Sequence, residues 1–206
     1  MQKELENLAK DYLKTLTLPT KRYKKPIAVI FVGFPASGKS YIAYQIEKNL
    51  PFVVISENDL AYFLSAYPDL FEKGWEAIFD LAKSSMANLI SLGVNCVFDA
   101  NIKKFAERKS FRESIAGSGG DPLLIHVNTP QGVSFNRIQK RNKEILDGSL
   151  QGSIMNWDYF YYEINTTEFP RLEENAQVVQ PLKKAELSRF LLRVSKKLLG
   201  KEAIIQ

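Results

Sequence analysis

Five short apolar runs punctuate the chain: Ile27 to Val32, Phe52 to Ile55, Val94 to Phe98, Leu123 to Val127, and Ala176 to Val179. Most are nearly continuous in apolar character instead of alternating with polar residues, as strands covered on both faces should be. Stretches of helical spacing separate them. Such alternation predicts βαβ units, and hence a parallel sheet with helices on both of its faces. Leu5, Leu8, Ala9, Tyr12, Leu13 and Leu16 form one apolar stripe and predict an amphipathic N-terminal helix within residues 1–20. A long helical region runs from about Glu57 to Leu92, broken near Tyr67-Pro68-Asp69. Ser134 to Lys143 and Ile154 to Ile164 predict two more helices flanking a turn-rich gap at Leu146 to Gly152. A C-terminal helix, residues 183–199, carries Leu187, Phe190, Leu191, Val194 and Leu198 on one packing face.

The first run leads directly into Gly33-Phe34-Pro35-Ala36-Ser37-Gly38-Lys39-Ser40, a complete G-x-x-x-x-G-K-[ST] phosphate-binding loop, and helical spacing resumes at Tyr41. Glycines let the backbone curl so that successive N–H groups point at phosphate oxygens, and the helix N-terminus adds its positive dipole end. Lys39 is placed to reach the β- and γ-phosphates, and the Ser40 hydroxyl to ligate Mg²⁺. The expected nucleotide-binding residues are Gly33, Pro35, Ala36, Ser37, Gly38, Lys39, Ser40 and Tyr41. A Gly/Ser-rich turn with a chance lysine would not need a strand before it and a helix after it. The loop therefore predicts binding of a nucleoside triphosphate, with ATP and Mg²⁺ as cofactors.

Bulk properties narrow the picture only a little. With 206 residues the chain fits one domain with a real core. A net charge of +5 permits binding to nucleotides, nucleic acid or other anions without requiring nucleic acid. The basic connector Lys21 to Pro26 reads as a solvated linker, and no aromatic-rich basic stripe marks a nucleic-acid module. Cys96, the single cysteine, lies in an apolar run and reads as a buried thiol, which fits a reducing cytoplasm. No stretch approaches a membrane span and the N-terminus lacks a signal-peptide core. His126, the single histidine, sits inside an apolar strand and reads as a core residue.

Three clusters bear on what happens to the triphosphate. Ser56-Glu57-Asn58-Asp59 follows the second strand, where ligands of open α/β sheets bind. A carboxylate there can accept the proton of an attacking hydroxyl; Asp59 is the candidate base, Glu57 the alternative, and helix capping by Ser56 or Asp59 the competing role. Asp99-Ala100-Asn101 ends the third strand. Asp99 suits a Mg²⁺ or substrate contact and Asn101 a polar substrate, with capping of the next helix as the rival use of Asn101. Arg137 and Arg141, four residues apart, share one helix face. Paired guanidiniums over phosphates are what phosphoryl transfer needs, and with the following gap and helix they predict a mobile lid over about 134–165.

Taken together, the loop Gly33 to Ser40, the strand end Val97-Phe98-Asp99-Ala100-Asn101 and the Arg137/Arg141 helix resemble P-loop kinases of the polynucleotide-kinase and zeta-toxin type, a group of AAA-type ATP-binding proteins. Glu168-Phe169-Pro170-Arg171-Leu172-Glu173-Glu174 resembles the segment that often follows their lid. This resemblance covers roughly residues 27 to 180. It implies a P-loop NTPase three-layer α/β sandwich, a five-stranded parallel sheet of order 2-3-1-4-5, a helical lid, and ATP/Mg²⁺-dependent phosphorylation of a hydroxyl. An ATPase switch or a degenerate ATP-binding member are the alternatives. The two signatures are mixed in this chain. Against the polynucleotide-kinase-like pattern the base position falls on Asn58 and the following arginine on Ala61; against the zeta-toxin-like pattern, Glu57-Asn58-Asp59 puts the base on Asp59. The acceptor is accordingly open among small molecules, sugar nucleotides and nucleic acid, and the zeta-toxin likeness leaves room for an antitoxin-like partner.

Overall fold

In the computed structural model, which describes residues 2–181 and 184–199, the five apolar runs build one sheet. β1 (Ile27–Val32), β2 (Phe52–Ser56), β3 (Asn95–Asp99), β4 (Asp121–Val127) and β5 (Gln177–Val179) are all parallel, in the order β2-β3-β1-β4-β5. The strand β1 is central: Ala28, Val29 and Ile30 align with Cys96, Val97 and Phe98, while Ile27 to Val32 align with Asp121 to His126. All six of its residues are buried, and they alternate between two cores. Ala28, Ile30 and Val32 enter one; Ile27, Val29 and Phe31 enter the other. Burial on both faces is why this run carries no polar position.

The first core is completed by α1 (Gln2–Leu13), α3 (Glu57–Leu64), α5 (Trp75–Ser91) and α6 (Phe105–Gly117). On the other face α2 (Lys39–Asn49) contributes Ile42, Ala43 and Ile46, and α9 (Lys184–Leu198) contributes Leu187, Phe190, Val194 and Leu198. The predicted apolar stripe of the last helix thus packs inward as expected; Lys183, its expected first residue, lies outside the described residues, as does Met1 of the N-terminal helix. That first helix is shorter than the 1–20 expectation. It ends at Leu13, and Thr15 and Leu16 follow in turns whose N–H groups donate to the carbonyls of Tyr12 and Leu13.

The break near Pro68 falls where the sequence puts it. Tyr67 has φ −128° and ψ 80°, off the helical region as a residue before proline prefers, and α4 (Pro68–Phe71) starts with the proline at its first position. The connector Lys21 to Pro26 is not simply solvated: Tyr23 is buried, and its N–H donates to the Gly93 carbonyl at 2.8 Å. His126 is only half-buried, on β4 beside the Phe169 ring, so it is not a core residue. Cys96 is fully buried, and burial pushes its thiol pKa up. Among the described residues no helix is long and apolar enough to cross a membrane.

Over the carboxyl ends of the strands lie α7 (Gln131–Leu146) and α8 (Trp157–Thr166). The gap between them is tied down by Asn142, whose side chain donates to the Met155 carbonyl at 2.9 Å and accepts from its N–H at 3.0 Å. Asn156 caps α8 by accepting from the Asp158 N–H at 2.7 Å, which is why that helix starts at Trp157 and not at Ile154. After α8 the chain returns through a 3-10 turn at Leu172–Glu174. There Glu174 meets Arg108 of α6 in a fully buried two-pronged pair, Nε to Oε1 at 2.7 Å and Nη2 to Oε2 at 2.8 Å. The remaining nitrogen, Nη1, donates to the carbonyls of Ile102, Lys103 and Glu168. This pair fastens the segment after β3 to the segment after α8.

Candidate nucleotide and acceptor site

The loop between β1 and α2 bends through two left-handed residues, Ala36 at φ 55° and Gly38 at φ 108°. Gly38 needs its missing side chain as well: a Cβ there would stand 3.0 Å from Pro181 Cγ. Gly33 is held tightly too, since a Cβ would lie 2.8 Å from the Val127 carbonyl oxygen of β4. The first turn of α2 contains no acidic residue and Gly38 offers no side-chain cap. Its N-terminal N–H groups are therefore left for an anion. Bracing comes from the residues that follow β4. Thr129 donates to the Ser37 carbonyl at 2.7 Å, and Arg137 Nη1 donates to the carbonyls of Ala36 and Ser37 at 2.8 and 3.2 Å.

Lys39 is folded onto its own loop, its ammonium donating to the carbonyls of Gly33 at 2.8 Å and Phe34 at 2.9 Å. Burial pushes its pKa down to about 8, against the pull of Asp99, Glu57 and Glu163, which surround it. Asp99, at the end of β3, shares a hydrogen bond with the Ser40 side chain; burial raises its carboxyl above the usual range, opposed by that bond and by Lys39. Among the described residues no cluster of three or more His, Cys, Asp or Glu side chains is arranged to hold a metal.

Asn101 connects the loop to the rest of the site. The Ile102 N–H donates to the Phe31 carbonyl at 3.0 Å, which carries the chain past the end of β3 alongside β1. Asn101 Oδ1 then accepts from the Gly33 N–H at 3.1 Å, and its Nδ2 donates to Glu163 Oε2 at 3.4 Å. It does not cap the next helix, because α6 begins only at Phe105 behind Lys104. Glu163, buried on α8, also forms an ion pair with Lys103 at 2.5 Å.

Beside this chain of contacts opens a cavity of about 760 Å³. Glu57, Asn101 and Glu163 line its end nearest the phosphate loop; Lys103, Lys104 and Glu107 line one side. Burial raises the Glu57 carboxyl, with Lys39 opposing and Glu163 and Asp99 reinforcing. Of the expected site residues, the fold gathers Lys39, Ser40, Asp99, Asn101 and Arg137 around the loop. Asp59 is exposed in the first turn of α3 and does not line the cavity. Ser56 is the cap of that helix, accepting from the Asp59 N–H at 3.0 Å. Arg141, also exposed, stands one turn beyond Arg137 with its Nη2 3.4 Å from the Ser153 carbonyl. Pro35 and Tyr41 flank the loop bend and the first turn of α2, Tyr41 with its ring exposed. Neither Lys103 nor Glu163 stands out in the sequence. A lone lysine after a strand and one glutamate in an aromatic helix carry no spacing signal.

The aromatic segment Trp157 to Tyr162 divides between two duties. Phe160 is fully buried and Trp157 stacks on Phe135 at 4.5 Å between centroids, while Tyr159 and Tyr162 turn to the cavity.

The model of a family described as an AAA domain matches residues 29–150, more than half of the chain, and the chain belongs to that family. No curated protein matches it in sequence. Solved structures share its P-loop NTPase fold at low identity. APE1195 is 19% identical with a TM-score of 0.64, over 87% of this chain and 98% of that one. The APS kinase CysC of Mycobacterium tuberculosis, solved with AMPPNP and APS, is 18% identical with a TM-score of 0.59, over 85% of this chain and 99% of that one. A structure from the PezAT chromosomal toxin-antitoxin system of Streptococcus pneumoniae is 17% identical with a TM-score of 0.60, over 97% and 96% of the two chains.

Proposed function

We propose that this protein is an ATP-dependent phosphotransferase that moves the γ-phosphate of ATP onto a hydroxyl of an acceptor bound in the cavity. The observation that carries this is the meeting of a complete phosphate loop with an open cavity, with the Glu57 carboxylate at the junction. A nucleotide switch needs the loop but not the second chamber.

In this reading the loop N–H groups and the α2 N-terminus hold the phosphates, and Lys39 exchanges the carbonyls of Gly33 and Phe34 for β- and γ-phosphate oxygens. Arg137, already at the loop, adds positive charge where the transition state spreads negative charge, and Arg141 joins it if the α7–α8 segment closes. Ser40 and Asp99 present hard oxygen donors in mutual contact, a set that suits Mg²⁺. When bound there, the ion neutralises phosphate charge. Glu57 takes the proton of the acceptor hydroxyl as the oxygen forms its bond to γ-phosphorus and the bond to the β-phosphate oxygen breaks, leaving ADP. Asp59, the candidate base from sequence, gives way to Glu57 because only Glu57 faces the chamber where an acceptor fits. The buried Cys96 thiol supports a reducing, cytoplasmic setting.

The test is incubation with γ-labelled ATP and Mg²⁺ beside a panel of small alcohols, nucleosides, sugar nucleotides and 5′-hydroxyl oligonucleotides, products being identified by mass. Label should appear on an acceptor, and Lys39→Ala should abolish it. Release of free phosphate at one rate whatever the acceptor would overturn the proposal.

A further inference from the structure

The walls of the cavity specify the kind of acceptor. We infer that it takes an uncharged or cationic alcohol with an aromatic or apolar body and excludes polyanions, an inference that rests on the phosphotransferase reading only in calling that ligand the acceptor. Apolar groups form much of the lining, Ala61 and Leu64 from α3 and Trp75 and Ile78 from α5. Phe71 of α4 and Tyr162 of α8 add rings that are 52% and 56% exposed, large aromatic faces left in solvent around one opening. Rings so placed serve a ligand that also has a flat or apolar face.

The charges decide against an anion. Three carboxylates, Glu57, Glu107 and Glu163, face two ammonium groups, Lys103 and Lys104, and none of the described arginines lines the cavity. Both lysines are engaged. Lys103 is paired with Glu163 at 2.5 Å and lies 4.5 Å from the centre of the Tyr162 ring; the Lys104 ammonium is 3.4 Å from Glu168. Two backbone donors are taken as well. At the start of α6, the Lys104 N–H donates to Glu107 at 3.2 Å and the Phe105 N–H to Glu168 at 2.9 Å. The helix end that would otherwise attract a phosphate thus already holds two of the protein's own carboxylates. An anionic acceptor would have to displace these contacts and sit beside Glu57 and Glu107. An ammonium or a neutral hydroxyl meets no such opposition.

Three probes with one aromatic body separate the cases: naphthalene-2-methanol, naphthalene-2-methylammonium and naphthalene-2-carboxylate, titrated calorimetrically into the full chain. The alcohol and the ammonium should bind about tenfold or more tighter than the carboxylate, as one like charge near partly screened carboxylates dictates. Glu107→Gln should narrow that gap. Trp75→Ala should weaken the alcohol, and Phe71→Ala, at an exposed position, should do the same if the first variant folds poorly. Carboxylate binding as tight as the alcohol, or binding indifferent to both aromatic variants, would overturn the inference. A transfer assay on matched pairs tells this failure from that of the enzyme reading. With γ-labelled ATP, a nucleoside should be labelled in preference to its 5′-monophosphate. Preferential labelling of the monophosphate, or of a 5′-hydroxyl oligonucleotide, refutes the acceptor class and leaves the phosphotransferase standing. The probe preference without transfer to any member of the panel does the reverse.

Discussion

The phosphate loop and the cavity we propose for the acceptor are built in opposite ways. Eight contiguous residues make the phosphate loop, which offers backbone N–H groups and is braced through its carbonyls by Thr129 and Arg137. The acceptor chamber is made of side chains from α3, α4, α5, the segment after β3, α6 and α8. A backbone site has one job and little freedom, because Gly33 and Gly38 have no room for a Cβ. A side-chain site can be re-lined one residue at a time without disturbing the loop beside it. Ala61 is a case: it stands where the polynucleotide-kinase-like pattern has an arginine, and it forms part of the apolar wall.

That contrast breaks first, and most visibly, at Glu57. Glu57→Gln should slow transfer by about 10²–10⁴-fold, the usual worth of a positioned general base, while calorimetry finds nucleotide affinity nearly unchanged. Asp59→Asn should leave transfer near the wild-type rate, and a larger loss from Asp59→Asn would return the base to α3's exposed face. With burial raising the Glu57 carboxyl, transfer should fall as pH drops through a point above the ordinary carboxylate range, a limb absent from Glu57→Gln.

The Arg108–Glu174 pair is the next test. Glu174→Gln leaves a guanidinium buried without its counter-ion, and urea unfolding should show a loss of about 3–5 kcal/mol. Because Arg108 also holds the carbonyls of Ile102 and Lys103, the folded fraction should lose acceptor affinity before nucleotide affinity. Equal losses at both ends would mean that the two are not separately supported.

The smallest effect is at the donor end. Lys39 has its pKa lowered to about 8 with the loop free, and phosphate oxygens beside it would raise that value. Nucleotide binding should therefore take up a fraction of a proton near pH 8 to 9 and weaken as pH rises through that window. Calorimetry in buffers of different ionisation enthalpy measures the uptake; none in that range would show that Lys39 is already fully charged in the free protein.

How far each end was legible from sequence follows from the same contrast. Gly33 to Ser40 announces itself because loop geometry depends on residues adjacent in the chain. Asn101 suits capping and site duty equally in sequence, but α6 starts at Phe105, too far along for Asn101 to cap it. Glu57 and Asp59 differ by two positions, and only the packing of α3 decides which one faces the cavity. Tyr23 and His126 depart from the sequence expectation for a related reason. Composition sees a basic connector and an apolar run, whereas burial depends on Gly93 and Phe169, distant neighbours no local pattern names.

Periodicity determined the strand-and-helix order, the double-sided cover of the sheet and the stripe of α9, and the contiguous motif Gly33 to Ser40 determined the phosphate loop, since each depends on local sterics or on which residues avoid water. Sheet order was implied by resemblance and is borne out as β2-β3-β1-β4-β5. Only the tertiary structure decided the acceptor end: which carboxylate meets Lys39, that Glu163 of α8 reaches Asn101 and Lys103, and that ion pairs use up the cations of the cavity. Those facts depend on side chains brought together from separate elements, and their direction is set by packing against neighbours that are remote in the chain.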